Sequence, residues 1–412
     1  MRSITLGIIA DDLTGAMDSS SYFASQGFTT VVIFNPSFHS LADVVAINTN
    51  SRADDADTAS EKVGQAVRNL AGRMVYKKID STLRGNIGAE LKSVMVELGC
   101  EKAIVAPAFP AVGRTTINGV LLVNGVKVAK TQFAHDLISP VKESTIPILL
   151  EQSTGRYVGY IPVADIDTGP EFLYHKISEM PQEIIVCDVT AQSHLAGIAQ
   201  AAALAGDRWL LCGSAGLARE LHLFLKKALT VKKESSINLL SGIVLVVVGT
   251  RNQVTADQLL KARDEIGFPI LDLKVEHLNP KNVSSNEVLR VVEEASCFLR
   301  QKKLLALSSI FSEYIPALKQ QSLPVIMAEV VAGILDKWEI AGLFLSGGDI
   351  AMSVCRRLSI SAILVHGEVE PGIPAGELIG GQGQGIRIIT KAGGFGTEAA
   401  LVKSISYLGG GI

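Results

Sequence analysis

Ile8-Ile9-Ala10-Asp11-Asp12-Leu13-Thr14-Gly15-Ala16-Met17-Asp18 is the stretch on which the architecture turns. The apolar run Thr5–Ile9 ends abruptly in two carboxylates, and Gly15–Gln26 then carries helical spacing. A short buried strand that passes straight into a helix is the first half of a βαβ unit. Outward from it, Thr30–Phe34, Val44–Ile47, Met74–Lys78 and Ala103–Ala106 repeat the strand pattern, and Asp55–Leu70 and Ile87–Leu98 repeat the helical one. The alternation predicts parallel sheet covered by helices. Val120–Val123, Asn124-Gly125 and Val126–Ala129 predict a hairpin, because Asn-Gly suits a type I′ turn.

A second rhythm starts at Ile243–Val248 and runs through a helix near Asn252–Ile266, apolar runs at Leu304–Leu307 and Leu343–Leu345, and a last helix near Thr397–Tyr407. The polar stretch Leu229–Ser241 separates the two halves and reads as a linker. The expectation is therefore an α/β protein of two domains, 1–234 and 235–412, each a mainly parallel sheet flanked by helices, with the active site in the cleft between them.

The 412 residues are 48% hydrophobic and 19% charged, enough for a large core, and the net charge of −3 offers no footprint for nucleic acid or an anionic membrane. The longest clean apolar run, Ile243–Val248, is far too short to span a bilayer. Asp11 and Asp12 interrupt the N-terminal run, against a signal peptide. The five cysteines are scattered and never spaced C-x-x-C, as expected of reduced thiols in a cytoplasmic protein. A homodimer is a further expectation.

Ligands of open α/β sheets bind at the carboxyl ends of the strands. Asp11 and Asp12 stand at such an end, where one could orient a hydroxyl or accept its proton, although Asp12 or Thr14 also suits a helix cap. Lys78-Ile79-Asp80-Ser81-Thr82-Leu83-Arg84-Gly85-Asn86 again follows a strand and precedes a helix. Lys78, Arg84 and the hydroxyls of Ser81 and Thr82 suit an anion, the arginine fork matching a carboxylate; a solvated turn capped by Ser81 is the alternative. Arg52 follows another strand and ends on the same rim, but taken alone reads as a surface arginine. The Pro107–Arg114 loop, with two prolines and a glycine, is equally a substrate wall or a structural turn.

The second half carries three glycine-bearing strand ends: Val248-Gly249-Thr250-Arg251-Asn252, Leu345-Ser346-Gly347-Gly348-Asp349 and Lys391-Ala392-Gly393-Gly394-Phe395-Gly396-Thr397. Bare backbone at a helix start cradles phosphate, so three such turns favour a nucleotide. Asp349 is a candidate Mg²⁺ ligand or a plain helix cap. No G-x-x-x-x-G-K-[ST] exists, and Gly394–Ala399 matches G-x-G-x-x-A too close to Ile412 for a dinucleotide unit. G-x-S-x-G is absent, which disfavours an α/β hydrolase.

In order and spacing, Ala10–Asp18, Lys78–Asn86, Pro107-Ala108-Phe109-Pro110, Gly113-Arg114, Gly347-Gly348-Asp349 and Gly393-Gly394-Phe395-Gly396 resemble the four-carbon acid sugar kinase family over essentially the whole chain. The resemblance implies an N-terminal domain that binds the sugar acid, a C-terminal domain that binds ATP, and phosphorylation of threonate, erythronate or 3-oxo-tetronate at the 4-hydroxyl. Lys78–Gly85 is more similar to the D-threonate kinase branch than to the 3-oxo-tetronate branch. By position it implies substrate contacts at Asp12, Arg52 and Ser81–Arg84, with Asp11, Lys78, Asp80 and Gly85 beside them. Asn252, Gly347, Gly348, Asp349, Ile350 and Gly393 are implied ATP contacts, joined by Thr250 and Gly394. The family usually has an acid followed by Thr after the paired glycines; Ile350 lacks that hydroxyl. The expected reaction is direct in-line transfer, with Asp12 as base and Asp80 as its rival. A sugar-acid sensor that has kept the fold is the other reading.

Overall fold

The computed structural model describes residues 5–136, 138–225, 242–250, 252–274, 286–310 and 317–409, with the side chains of 317–322 excluded. The expected linker and the boundary at 235 lie outside these residues. The chain divides into two units, one of 1–23, 28–32 and 39–229, the other of 24–27, 33–38 and 230–412.

The first unit contains β1 (Leu6–Ala10), all but the end of α1 (Leu13–Ser25) and of β2 (Thr30–Ile33), then β3 (Val44–Asn48), α2 (Ala56–Asn69), β4 (Met74–Lys78), α3 (Ile87–Leu98) and β5 (Lys102–Ala106). There follow a small antiparallel sheet of β6 (Arg114–Ile117), β7 (Val120–Val123) and β8 (Val126–Lys127), then α4 (Ile146–Thr154) and β9 (Val158–Ile161). The unit closes with α5 (Val163–Ile166), α6 (Pro170–Glu179), β10 (Ile184–Cys187), α7 (Gln192–Ala205), β11 (Trp209–Gly213) and α8 (Ala215–Ala218). The strands of its main sheet run in the order β2-β3-β1-β4-β11-β5-β10-β9, and the pairs from β3 to β9 are parallel. Every residue of β1, β3, β5, β10 and β11 is buried, the signature of strands covered on both faces.

Connections leave β1 toward β2 and β3, then α2 crosses back to β4 on the opposite side of β1. This reversal opens a crevice at the carboxyl ends of neighbouring strands, the usual ligand position of such sheets. The expected hairpin forms between β7 and β8, with φ of 50° at Asn124 and 80° at Gly125, as a type I′ turn demands.

The second unit contains β12 (Ile243–Val248), α9 (Gln253–Ile266), β13 (Ile270–Asp272), α10 (Asn286–Leu299), β14 (Leu304–Ser308) and α11 (Ala317–Leu335). It continues with β15 (Ile340–Ser346), α12 (Gly348–Arg357), β16 (Ala362–Glu370), β17 (Ile373–Ile379), β18 (Arg387–Lys391) and α13 (Ala400–Leu408). Strand order is β13-β14-β12-β15-β18-β17-β16. The pairs from β13 to β18 are parallel, and β17 is antiparallel to both its neighbours. Val246, Leu259, Phe344, Ile389, Leu401 and Ile405 centre its core between sheet and helices. The last helix begins at Ala400 rather than near Thr397, because Glu370 accepts both the backbone N–H (2.8 Å) and the hydroxyl (2.7 Å) of Thr397 and holds that residue in the preceding loop. Among the described residues no helix is long and apolar enough to cross a membrane.

Candidate active site

Three adjacent strands, β3, β1 and β4, end in one register, with Ala10 opposite both Asn48 and Lys78. The residues just beyond those ends therefore meet. Arg52 donates from Nε to Asp11 Oδ2 (2.7 Å), from Nη2 to Asp11 Oδ1 (3.0 Å) and from Nη1 to Asp12 Oδ2 (2.8 Å). Far from being a surface arginine, it joins the paired aspartates, and its Nη2 stands 3.8 Å from Asp80. Burial works to raise the pKa of Asp11, but Arg52, with Lys77 and Lys78 behind it, holds it below the ordinary value.

Asp12 divides its oxygens. Oδ1 accepts the backbone N–H of Gly15 (2.9 Å), capping α1, and Oδ2 accepts from Arg52. Its side chain is 22% exposed, so lone pairs remain for a ligand. Gly15 sits between Asp12 and Lys78: an added Cβ would stand 2.6 Å from Asp12 Oδ1 and 2.7 Å from Lys78 Nζ. The ammonium of Lys78 thus flanks the same point as the Asp12 carboxylate. It donates to the carbonyl of Ile79 (3.0 Å) and, among the described residues, forms an ion pair with no carboxylate.

Asp80 organises the turn after β4. Its Oδ2 accepts from the hydroxyl of Thr82, the backbone N–H of Thr82 (3.3 Å) and Nε of Arg84 (2.9 Å), while Oδ1 accepts from Nη2 of Arg84 (3.2 Å). Burial pushes its pKa up, but Arg84, Arg52 and Thr82 overcome this and hold it well below the usual carboxylate range. Leu83 is buried with φ of 64°, a left-handed conformation that a bulky residue keeps only where its surroundings enforce it. Ser81 and Gly85 (φ 92°) complete the turn.

Sequence reasoning missed the groups that brace these residues. Asp136 accepts from Nη1 of Arg84 (3.1 Å), and the ring of Phe133 lies 5.5 Å from that guanidinium. Below the site Lys77, 0% exposed, pairs with Glu90, 1% exposed, at 2.7 Å; Ser51 donates to Glu90 (2.6 Å), fixing the segment that carries Arg52. No local pattern announces Glu90 as the partner of Ser51 or Asp136 as that of Arg84, since they lie 39 and 52 residues from what they hold.

In the second unit Val248 pairs with both Ser308 and Ser346, and Ser346 with Lys391, so the three glycine-bearing turns leave one sheet edge together. An added Cβ on Gly393 would stand 2.6 Å from Thr250 Oγ1 and 3.0 Å from Asn252 Cβ. Gly394 lies on the same residue, 3.6 Å from Asn252 Nδ2 by the same measure. Asn252 itself caps α9 through Val254 N–H (3.0 Å). Gly347, with φ of 110°, precedes α12, whose N-terminus has no side-chain cap; Gly348, Asp349 and Ile350 form its first turn. Ile350 buries its side chain against Gly249 and Gly347, so a contact from it to a nucleotide runs through its backbone. The hydroxyls of Ser309 and Ser346, beside this edge, are buried and have no hydrogen-bond partner among the described residues.

The glycine loop is held from both ends. Lys391 donates to Thr255 Oγ1 (2.9 Å) and to the carbonyls of Ala392 and Gly393 (3.1 Å each), and Gln258 donates to the carbonyls of Phe395 (3.1 Å) and Thr397 (2.8 Å). Burial lowers the pKa of Lys391 to about 8.

Models of a sugar-binding N-terminal domain and a nucleotide-binding C-terminal domain match residues 6–221 and 245–401. Over 97% of both chains the sequence is 33% identical to the D-threonate kinase of Salmonella typhimurium. It is 30% identical to the D-erythronate kinase of Heliobacterium modesticaldum over 97% of this chain and 96% of that one, and 25% identical to the 3-oxo-tetronate kinase of Pseudomonas fluorescens over 98% and 97%. A solved structure from Salmonella typhimurium superposes with a TM-score of 0.83 at 24% identity, covering 97% of this chain and 98% of that chain. The chain belongs to the four-carbon acid sugar kinases, phosphotransferases that act on an alcohol group with ATP as donor.

Proposed function

We propose that this kinase phosphorylates the 4-hydroxyl of D-threonate, with Asp12 as the group that orients the hydroxyl and takes its proton. The observation that carries the reading is the cluster at the ends of β1, β3 and β4: a partly exposed aspartate flanked by Arg52 and by an ammonium, Lys78, that makes no direct ion pair among the described residues. Asp80 is a poorer base, because its oxygens are already engaged by Arg84 and Thr82 and its carboxylate is held ionised well below the usual range. Asp11, Arg52 and the Asp80–Gly85 turn then form the walls that hold the acid. The D-threonate kinase relative, at 33% identity over nearly the full length, agrees with this substrate, and the D-erythronate kinase at 30% makes erythronate the first alternative.

The residues of the second unit fit a triphosphate: a glycine cradle that a Cβ would fill, an uncapped helix start at Gly348–Ile350, and two orphaned buried hydroxyls. Among the described residues no group of three metal-ligating side chains exists. Mg²⁺ nonetheless suits the site, since nucleotide-bound Mg²⁺ commonly rests on phosphate oxygens with one or two carboxylates, and Asp349 in the first turn of α12 is the candidate. When bound, the ion neutralises charge on the phosphates. Thr250, Asn252, Gly393 and Gly394 shape the nucleotide's surroundings, while Asp12 holds the acceptor hydroxyl in line and receives its proton. The five free cysteines support a reducing compartment, the cytoplasm.

An ADP-release assay over D- and L-threonate, D- and L-erythronate and 3-oxo-tetronate tests the reading. D-Threonate should give the highest kcat/KM. A better erythronate rate would reassign the substrate, and binding without ADP release would establish a sensor instead.

A further inference from the structure

Arg114 starts β6, directly after the loop that leaves the carboxyl end of β5. Its surroundings differ from those of the other two site arginines. Arg52 is bound by Asp11 and Asp12, and Arg84 by both oxygens of Asp80 and by Asp136. Arg114 donates from Nη1 to the carbonyl of Val112; among the described residues its buried Nε has no hydrogen-bond partner and no carboxylate pairs with it. A permanently charged guanidinium with a buried, unmet donor is costly unless something binds there.

Phe109 and Arg114 exchange backbone hydrogen bonds (2.9 and 3.1 Å), which closes the loop at the carboxyl end of β5 and holds Arg114 beside that end. The charged groups acting on it are Asp80 and Arg84, both of the acid-binding turn; burial lowers its pKa, Asp80 pushing back and Arg84 adding to the fall.

We propose that Arg114 is the residue that receives the substrate's carboxylate, and so selects a sugar acid over the uncharged polyol of the same length. The proposal rests on the sugar-acid kinase reading of this site. A carboxylate approaching Arg84 has to displace Asp80 or Asp136 from it, whereas Arg114 gains its missing partner. The ligand class is a small hydroxylated monocarboxylate.

The test measures binding and turnover together, for the wild type, Arg114→Gln and Arg114→Lys. Calorimetry follows D-threonate and the polyol threitol without ATP; steady-state assays follow both substrates. In Arg114→Gln, affinity for the acid should fall by on the order of 100-fold, while affinity for threitol and the KM for ATP stay within about threefold of wild type. Arg114→Lys keeps the charge but loses the fork, and should fall in between even if the glutamine variant folds poorly. Acid affinity within about threefold of wild type in a folded variant, or an equal loss for acid and polyol, overturns the assignment. Wild-type protein that binds acids but phosphorylates none would sink the kinase reading alone, since the binding comparison still decides the role of Arg114.

Discussion

Arg52 grips both carboxylate oxygens of Asp11, with Nε at 2.7 Å and Nη2 at 3.0 Å, across 41 residues of sequence. Because Asp11 is buried, removing the arginine strands a carboxylate where water cannot reach it. Arg52→Ala should destabilise the protein by about 3–5 kcal/mol, the usual range for breaking a buried pair from one side. Asp11→Asn combined with Arg52→Ala should cost less than the two changes added together. Urea unfolding of the four proteins measures this; simple additivity would mean the pair is not coupled.

Asp12 caps α1 and, in the proposed mechanism, also accepts the substrate hydroxyl; one substitution separates the two roles. Asn caps nearly as well as Asp, so in Asp12→Asn the cap survives; its amide nitrogen cannot accept from Arg52, so the thermal midpoint should fall modestly while ATP affinity stays unchanged. Its kcat should nevertheless drop roughly 10²–10⁴-fold, the scale of lost general-base assistance. Near-normal turnover would remove Asp12 from the catalytic list and bring Asp80 forward.

Lys391 makes alkaline stability informative. Its folded pKa, about 8, lies below the ordinary lysine value of 10.5, so between those limits the unfolded chain binds more protons than the folded one. Stability contributed by this group therefore rises as pH climbs from about 8 toward the unfolded value. Lys391→Met should lack that rise, so the difference between the two urea midpoints widens in favour of wild type over this interval. Parallel profiles would show that Lys391 titrates normally.

Gly393 lacks a side chain because its neighbours leave no space for one. In Gly393→Ala the new methyl meets Thr250 Oγ1 at 2.6 Å, and overpacking of this kind costs roughly 1–3 kcal/mol. If the cradle binds the triphosphate, KM for ATP should rise about tenfold or more while binding of the sugar acid is unaffected. Adding Thr250→Ala removes the contacted oxygen and should recover part of the loss. An unchanged KM for ATP would move the nucleotide away from this loop.

Local chemistry alone made much of the molecule legible. Apolar runs followed by helical spacing placed β1, β3, β4 and α2 within a residue or so, and Asn124-Gly125 specified its turn, because both signals depend only on near neighbours in the chain. The same local order put Asp11, Asp12, Lys78, Arg84 and Gly393 at strand ends, where ligands are expected. Which charge neutralises which was settled only by the tertiary structure. The sequence set Arg52 on the rim of the site but not its grip on Asp11 and Asp12, which needed the ends of three strands in one register, and it marked Arg84 for an anion without showing that Asp80 and, from 52 residues away, Asp136 already hold it. Arg114 acquired its significance in the same way, through the partner it lacks. Periodicity encodes which face of an element is buried, whereas ion pairs depend on distances between elements, and those exist only once the sheet has assembled.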